Sequence, residues 1–189
     1  MSIPLTIDEC SAGVWPSLEF EDFVNLCLHY GPTIRTEVGN KLSLVDGSKL
    51  LLALSGNESS FGHNCKPRHE TGYCTGFYSH NATIVGLTKL FGHGAHCSYG
   101  PWQIMFCNAA NDATPDKFRD AEYGAIQTVR FMNQILRANN PPRSLHEWGE
   151  VWNGGHVGAR GPGVLNYCEE LQKNWDAVEK SLAGIREGN

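Results

Sequence analysis

The chain has 189 residues and a mass of 20.8 kDa, enough for one domain with a substantial core. Its 20 acidic and 15 basic residues leave a formal charge of -5, which argues against nucleic acid as a partner, because a phosphate backbone demands a basic footprint. No apolar stretch is long enough to cross a membrane and no repeat or low-complexity tract is present.

Residues 1–18 read as an irregular lead-in, with two prolines and a tryptophan, and residues 19–189 as one domain. Met1-Ser2-Ile3-Pro4-Leu5-Thr6-Ile7-Asp8-Glu9-Cys10 lacks a basic stretch followed by an apolar one, so it is not read as a secretory leader. A helix is predicted from Leu18-Glu19-Phe20 to Tyr30, with Phe20, Phe23, Val24 and Cys27 on one stripe and Gly31-Pro32 as its stop. Asp46 is the expected N-cap of a second helix over 46–59. Leu51, Leu54, Ser55 and Glu58 share a face of it, since positions three and four apart lie together. That face is apolar until it reaches Glu58. Desolvation by the leucines and the partial negative charge at a helix C-terminus should both raise the pKa of this carboxyl. A carboxylic acid kept protonated near neutral pH suits general-acid chemistry.

Residues 62–97 are glycine-rich, with little periodicity before Ala82–Leu90, and little strand is expected there. Pro101 suits the first turn of a short helix running to Ala110. Thr114-Pro115-Asp116 supplies a cap, a proline at the first helical position and a first-turn acid. Phe118, Ala121, Ala125, Val129, Met132 and Leu136 then follow at helical spacing, which predicts the longest helix, ended by Asn139-Asn140-Pro141-Pro142. Ser144 is read as the cap of a helix to Trp152 that Gly154-Gly155 terminates. The last helix is predicted from Pro162 to Ile185, with Leu165, Cys168, Leu171, Trp175, Val178 and Leu182 inward. The fold class is therefore mainly α (α+β), with a loop-rich insert.

Seven cysteines, Cys10, Cys27, Cys65, Cys74, Cys97, Cys107 and Cys168, leave at least one unpaired. Cys27 reads as a small buried hydrophobe. The short loop between Cys65 and Cys74 has little else to hold it, so a disulfide between them is the preferred reading. His63, Cys65 and His69, with Cys74, His93, His96 and Cys97, form the competing reading, a mixed Cys/His zinc set whose spacing matches no named finger. With the disulfide preferred, neither metal nor cofactor is expected.

Three short segments carry a resemblance. Glu58-Ser59 ends the apolar helix, Ser98-Tyr99-Gly100-Pro101-Trp102-Gln103-Ile104-Met105 follows the insert, and Val151-Trp152-Asn153-Gly154-Gly155 comes later. In this order they resemble the lytic transglycosylase and goose-type lysozyme superfamily over roughly residues 46–172, and Tyr167 resembles the last aromatic of that pattern. The chain departs from it where Gly-Leu-Met-Gln becomes Pro101-Trp102-Gln103-Ile104-Met105 and where Trp152 replaces a tyrosine.

The resemblance implies a lysozyme-like fold, with the insert over a cleft, and cleavage of the β-1,4 bond between N-acetylmuramic acid and N-acetylglucosamine in peptidoglycan. Glu58 would be the general acid, and the products would be 1,6-anhydromuramoyl ends. Ser98 and Gln103 would bind the glycan or orient Glu58, Asn153 would hold an N-acetyl group, Tyr167 would help set the acid's ionisation, and Trp102 and Trp152 would stack on sugars. All of these but Gln103 have a plainer reading: a helix cap for Ser98, a helix stop for Asn153, and core aromatics for Tyr167, Trp102 and Trp152. One alternative is a hydrolytic goose-type muramidase with Glu70 or Asp112 as second carboxylate, although Glu70 reads more simply as a solvated loop charge. Another is a non-catalytic glycan-binding or phage structural module. The expected partner is a glycan strand and the expected state a monomer. Such a substrate lies outside the cytoplasm, so either a leader has been removed or the protein is phage-borne, delivered by lysis or by a virion.

Overall fold

The structure, a computed structural model, describes residues 13–34 and 47–187. Asp46 and Cys10, singled out in the sequence, lie outside the described residues. In chain order the elements are α1 (Phe20–Tyr30), α2 (Gly47–Ser59), β1 (Arg68–His69), α3 (Thr71–Cys74), α4 (Ala82–Phe91), β2 (Cys97–Tyr99), β3 (Ile104–Met105), α5 (Ala121–Leu136), α6 (Leu145–Gly154) and α7 (Pro162–Glu187). The described residues are mostly helical, with one small antiparallel sheet in the order β1-β2-β3. Arg68 pairs with Ser98 and His69 with Cys97, while Ser98 pairs with Met105 and Tyr99 with Ile104. No described helix is long and apolar enough to cross a membrane.

α2 is the centre of the larger core. Leu50, Leu51, Leu52, Ala53 and Leu54 are each at most 2 % exposed, so the helix is apolar on all sides and must be wrapped by others. α1 contributes Phe23 and Cys27, α5 contributes Ala125, Val129 and Met132, and α7 contributes Leu171 and Val178. Trp102 completes the wrapping. It is fully buried, its ring centroid lies 5.5 Å from that of Phe23, and its indole N–H donates to the Leu51 carbonyl at 2.8 Å. A second, smaller core lies against the sheet, where Trp15, Cys97, Tyr99, Ile104, Phe106 and Phe118 meet.

The helix read from capping signals forms as expected at α6, and the last helix, read from its apolar spacing, forms at α7. The Ser144 side chain accepts from the Glu147 N–H, and Gly155 ends α6 in the left-handed region at φ 85°. Four expectations are corrected. The segment after Thr114 first makes a 3₁₀ turn over Pro115–Arg119, because the Asp120 carboxylate captures the Glu122 N–H and starts α5 anew at Ala121. α5 has 16 residues and α7 has 26, so α7 is the longer. The helix expected from Pro101 to Ala110 is absent, since Gly100 (φ 74°) and Gln103 (φ 46°) close a tight turn and the chain continues into β3. Nor do Cys65 and Cys74 form a disulfide; the six described cysteines are all free thiols. Cys65 is buried and donates to the Gly62 carbonyl, whereas Cys74 ends α3 facing His93.

Trp102 is thus a core residue rather than a sugar-stacking surface. Truncating it should leave a large cavity beside α2, and Trp102→Ala is expected to cost about 3–5 kcal/mol in equilibrium denaturant unfolding. A loss below about 1 kcal/mol would contradict this packing role, because replacing an exposed tryptophan costs little.

Candidate active site

Glu58 leaves the last turn of α2 with a side chain only 6 % exposed. α7 reaches it because Gly56 has no side chain: a Cβ there would stand 2.6 Å from the Asn174 amide. The two helices are then tied by polar contacts. Asn174 Nδ2 donates to Asn57 Oδ1 at 2.6 Å, and Asn57 Nδ2 donates to the Tyr167 carbonyl at 3.0 Å. The Tyr167 hydroxyl donates to Glu58 Oε1 at 2.7 Å.

The chain turns sharply after the acid. Ser60 and Phe61 have φ of 52° and 58°, followed by Gly62 at 86°, a backbone that costs on the order of 1 kcal/mol or more at each non-glycine. Buried Ser59 secures the turn by accepting from the Gly62 N–H at 2.9 Å. The chain then enters β1, where successive side chains point to opposite faces. Arg68 Nη2 donates to Glu58 Oε2 at 3.3 Å, and Arg68 Nε donates to Glu70 Oε1 at 2.8 Å. One guanidinium therefore bridges two carboxylates. The Ser98 hydroxyl lies 2.9 Å from Glu70 Oε1 and 3.0 Å from Gln103 Oε1, so its single proton serves two acceptors. The Gln103 amide donates to the carbonyls of Lys66 and Gly100. Gln103, Ser98, Glu70, Arg68, Glu58 and Tyr167 thus form one continuous polar chain.

Burial pushes the Glu58 carboxyl above the usual glutamate value. The Tyr167 hydrogen bond and the Arg68 charge oppose this, and the Glu70 charge adds to it. Burial, followed by the Glu58 charge, raises Tyr167 well above the ordinary phenol range, so it stays a neutral donor. Arg68 ends above its ordinary value: burial lowers it, but its bonds to Glu70 and Glu58 outweigh that.

A cavity of about 490 Å³ opens beside this group, lined by Asn57, Asn153, Asn166, Tyr167, Glu170 and Asn174. Its neutral amides can both donate and accept. A smaller cavity of about 240 Å³ is lined in part by Tyr73, Tyr78, Asn81 and Asn108. Tyr73 and Tyr78 stack at 4.8 Å. Burial lifts Tyr73 to about 12, and the charges of Cys107, Tyr78 and Glu70 add to the rise.

Of the residues singled out in the sequence, Glu58, Tyr167, Ser98, Gln103 and Glu70 come together, and Asn153 lines the larger cavity. Glu70 is not a solvated loop charge, being 29 % exposed and bonded twice. Ser98 is a strand residue rather than a helix cap. Trp102 lies in the core, and Trp152 packs on Phe131 at 5.8 Å and lines neither cavity. Asp112 is not part of the group: its side chain is 76 % exposed and meets Lys117. Arg68, Asn57, Asn166 and Asn174 went unnoticed. Reading residues 68–70 as a strand would have put Arg68 and Glu70 on one face; the asparagines carry no local signal.

The Tyr167 hydrogen bond holds the Glu58 pKa down, so Tyr167→Phe should raise it further. Carboxyl-carbon NMR titration of Glu58 reads this directly, and an unchanged or lower pKa would contradict the contact. Because the folded-state pKa exceeds that of the unfolded chain, the stabilisation linked to this proton is present at low pH and lost as pH rises through the folded value. Tyr167→Phe should therefore shift that loss to higher pH. Set against known protein families, curated proteins and solved structures, the chain matches none.

Proposed function

We propose that the protein is a lytic transglycosylase of lysozyme-like fold, cleaving the β-1,4 bond between N-acetylmuramic acid and N-acetylglucosamine in peptidoglycan. The observation that carries this reading is Glu58: a carboxyl 6 % exposed, raised in pKa, held between a tyrosine hydroxyl and an arginine. Tyr167, one of its two holders, also lines the asparagine-rich cavity. Uncharged amides there suit the hydroxyl and N-acetyl groups of a glycan, and the Tyr73–Tyr78 pair offers aromatic surface in the smaller cavity.

Glu58 protonates the glycosidic oxygen as the bond to the leaving sugar breaks. The substrate's own acetamido group stabilises the developing positive charge, which places the reaction among the exceptions to the two-carboxylate scheme. Arg68 and the Tyr167 hydroxyl stabilise the Glu58 carboxylate left behind. That carboxylate then takes the proton of the muramoyl 6-hydroxyl, whose oxygen bonds to the anomeric carbon, giving a 1,6-anhydro end. The attacking hydroxyl belongs to the same sugar and enjoys a high effective concentration.

Hydrolysis is the second reading, and the Glu70 carboxylate on the same guanidinium favours it. Against it, Glu70 Oε1 is already engaged by Arg68 and Ser98, which makes Glu70 a group that orients Arg68 rather than a base for water.

Muropeptide mass spectrometry after digestion of purified peptidoglycan separates these outcomes, since an anhydro end is lighter than a reducing end by one water. Anhydro products are expected. Reducing ends, together with inactivation by Glu70→Gln, would assign hydrolysis, and wall binding with no released product would assign a glycan-binding module. Glu58→Gln should lower turnover by at least about 10²-fold while the protein stays folded, the scale of general acid–base catalysis. Near-normal turnover of that variant would remove Glu58 from the chemistry.

A further inference from the structure

We propose that His69, Cys74, His93 and His96 form a structural zinc site that holds the insert together. One ligand atom from each lies within 4.8 Å of all the others. His69 comes from β1, Cys74 ends α3, and His93 and His96 sit at the two ends of a 3₁₀ turn, where residues three apart eclipse and so share a face. Cys74 Sγ and His93 Nδ1 are 3.9 Å apart, near the edge of about 3.6 Å that zinc–sulfur and zinc–nitrogen bond lengths give a tetrahedron. The three imidazole centroids are 5.6–6.3 Å apart, so the rings surround one point.

A second observation, independent of this clustering, points to a missing partner. His69 Nε2 and His96 Nδ1 are buried with no hydrogen-bond partner, and His96 is only 6 % exposed. Buried polar atoms are rarely left so, because an unmet one is costly. Neighbouring bonds fix the His96 tautomer. Thr88 Oγ1 donates its single proton to the Ile84 carbonyl at 2.7 Å, so its contact with His96 Nε2 at 2.9 Å requires Nε2 to be the donor. His96 Nδ1 then carries a bare lone pair, the form that binds a metal, and Thr88 acts as the outer partner that ligating histidines require.

The other nearby candidates are engaged elsewhere or exposed. Cys97 donates to the His93 carbonyl, Cys65 donates to the Gly62 carbonyl, and His63 is exposed. Three imidazoles and one thiolate suit zinc, and four protein donors close the coordination sphere, which marks a structural rather than a catalytic centre. The metal would tie together β1, α3 and the 93–96 turn. It would also fix β1 from the face opposite Arg68 and Glu70.

Elemental analysis and native mass spectrometry of the purified protein should find one zinc per chain. Cys74 should resist alkylation until a strong chelator is added, and chelation should lower the thermal midpoint, with zinc restoring it. Cobalt substitution should give a thiolate charge-transfer band that disappears in Cys74→Ala. Wild-type chelation and cobalt spectra keep the test decisive if Cys74→Ala or His93→Ala fails to fold. The proposal is overturned by metal-free protein that takes up no zinc in equilibrium dialysis. A Cys65–Cys74 disulfide in the isolated protein, or zinc retained in full by folded Cys74→Ala and His93→Ala, overturns it too.

Discussion

Burial of the Glu58 carboxyl is the constraint on which the rest of the site depends. α2 consists of apolar residues on every side, so other elements must enclose it, and the acid at its end is drawn out of water with it. A buried carboxylate is costly unless it is hydrogen-bonded or neutralised. Tyr167 on α7 and Arg68 on β1 meet that cost from two directions. Both depend on close helix packing and on the turn through Ser60, Phe61 and Gly62, whose unfavourable backbone brings β1 back across the end of α2.

The described residues form two cores of unequal size, and the polar chain joins them. Glu58 and Tyr167 belong to helices of the larger core, whereas Ser98 belongs to the sheet against the smaller one and Gln103 to the turn before β3. Gln103 takes up a left-handed backbone and commits its amide to Lys66 and Gly100. Its role is therefore to fix the turn that positions Ser98. The sheet has two or three residues per strand, too short to be stable without support from elsewhere.

A second buried carboxylate supports the other side. Glu150 accepts from the Gly158 N–H at 2.7 Å and pairs with Arg160 and, at 3.4 Å, with His146. The Gly158 hydrogen bond, ahead of the opposing effect of burial, holds its carboxyl below the ordinary glutamate value. These contacts clamp the loop between α6 and α7 and so set where α7 begins. Tyr167 lies within the second turn of α7, and its reach to Glu58 follows from that start. Glu58 and Glu150 are both buried glutamates, yet one is driven toward protonation and the other toward ionisation. At Glu58 burial outweighs the donors that face it, whereas at Glu150 the Gly158 hydrogen bond outweighs burial.

Local physical chemistry made much of the helical framework legible. Ser144 and Gly155 bound α6 because capping uses groups within a few residues. The apolar run ending in Glu58 marked both the central helix and its acid, because helical periodicity is also local. The sequence alone did not reveal that Asp120 interrupts the Thr114 segment or that Gln103 is left-handed, since each depends on competition between neighbouring caps and turns. Trp102 illustrates the same limit: an aromatic is equally readable as core or as surface until the elements that could enclose it are in place. Asn57 and Asn174 took their meaning from partners distant in the chain, and Arg68 from the turn that folds β1 back onto Glu58. The Cys/His-rich segment could be read as disulfide or metal ligands from spacing alone. Only the tertiary structure separated Cys65 from Cys74 and turned His69, Cys74, His93 and His96 toward one point, because that choice depends on the direction of side chains from four places in the chain.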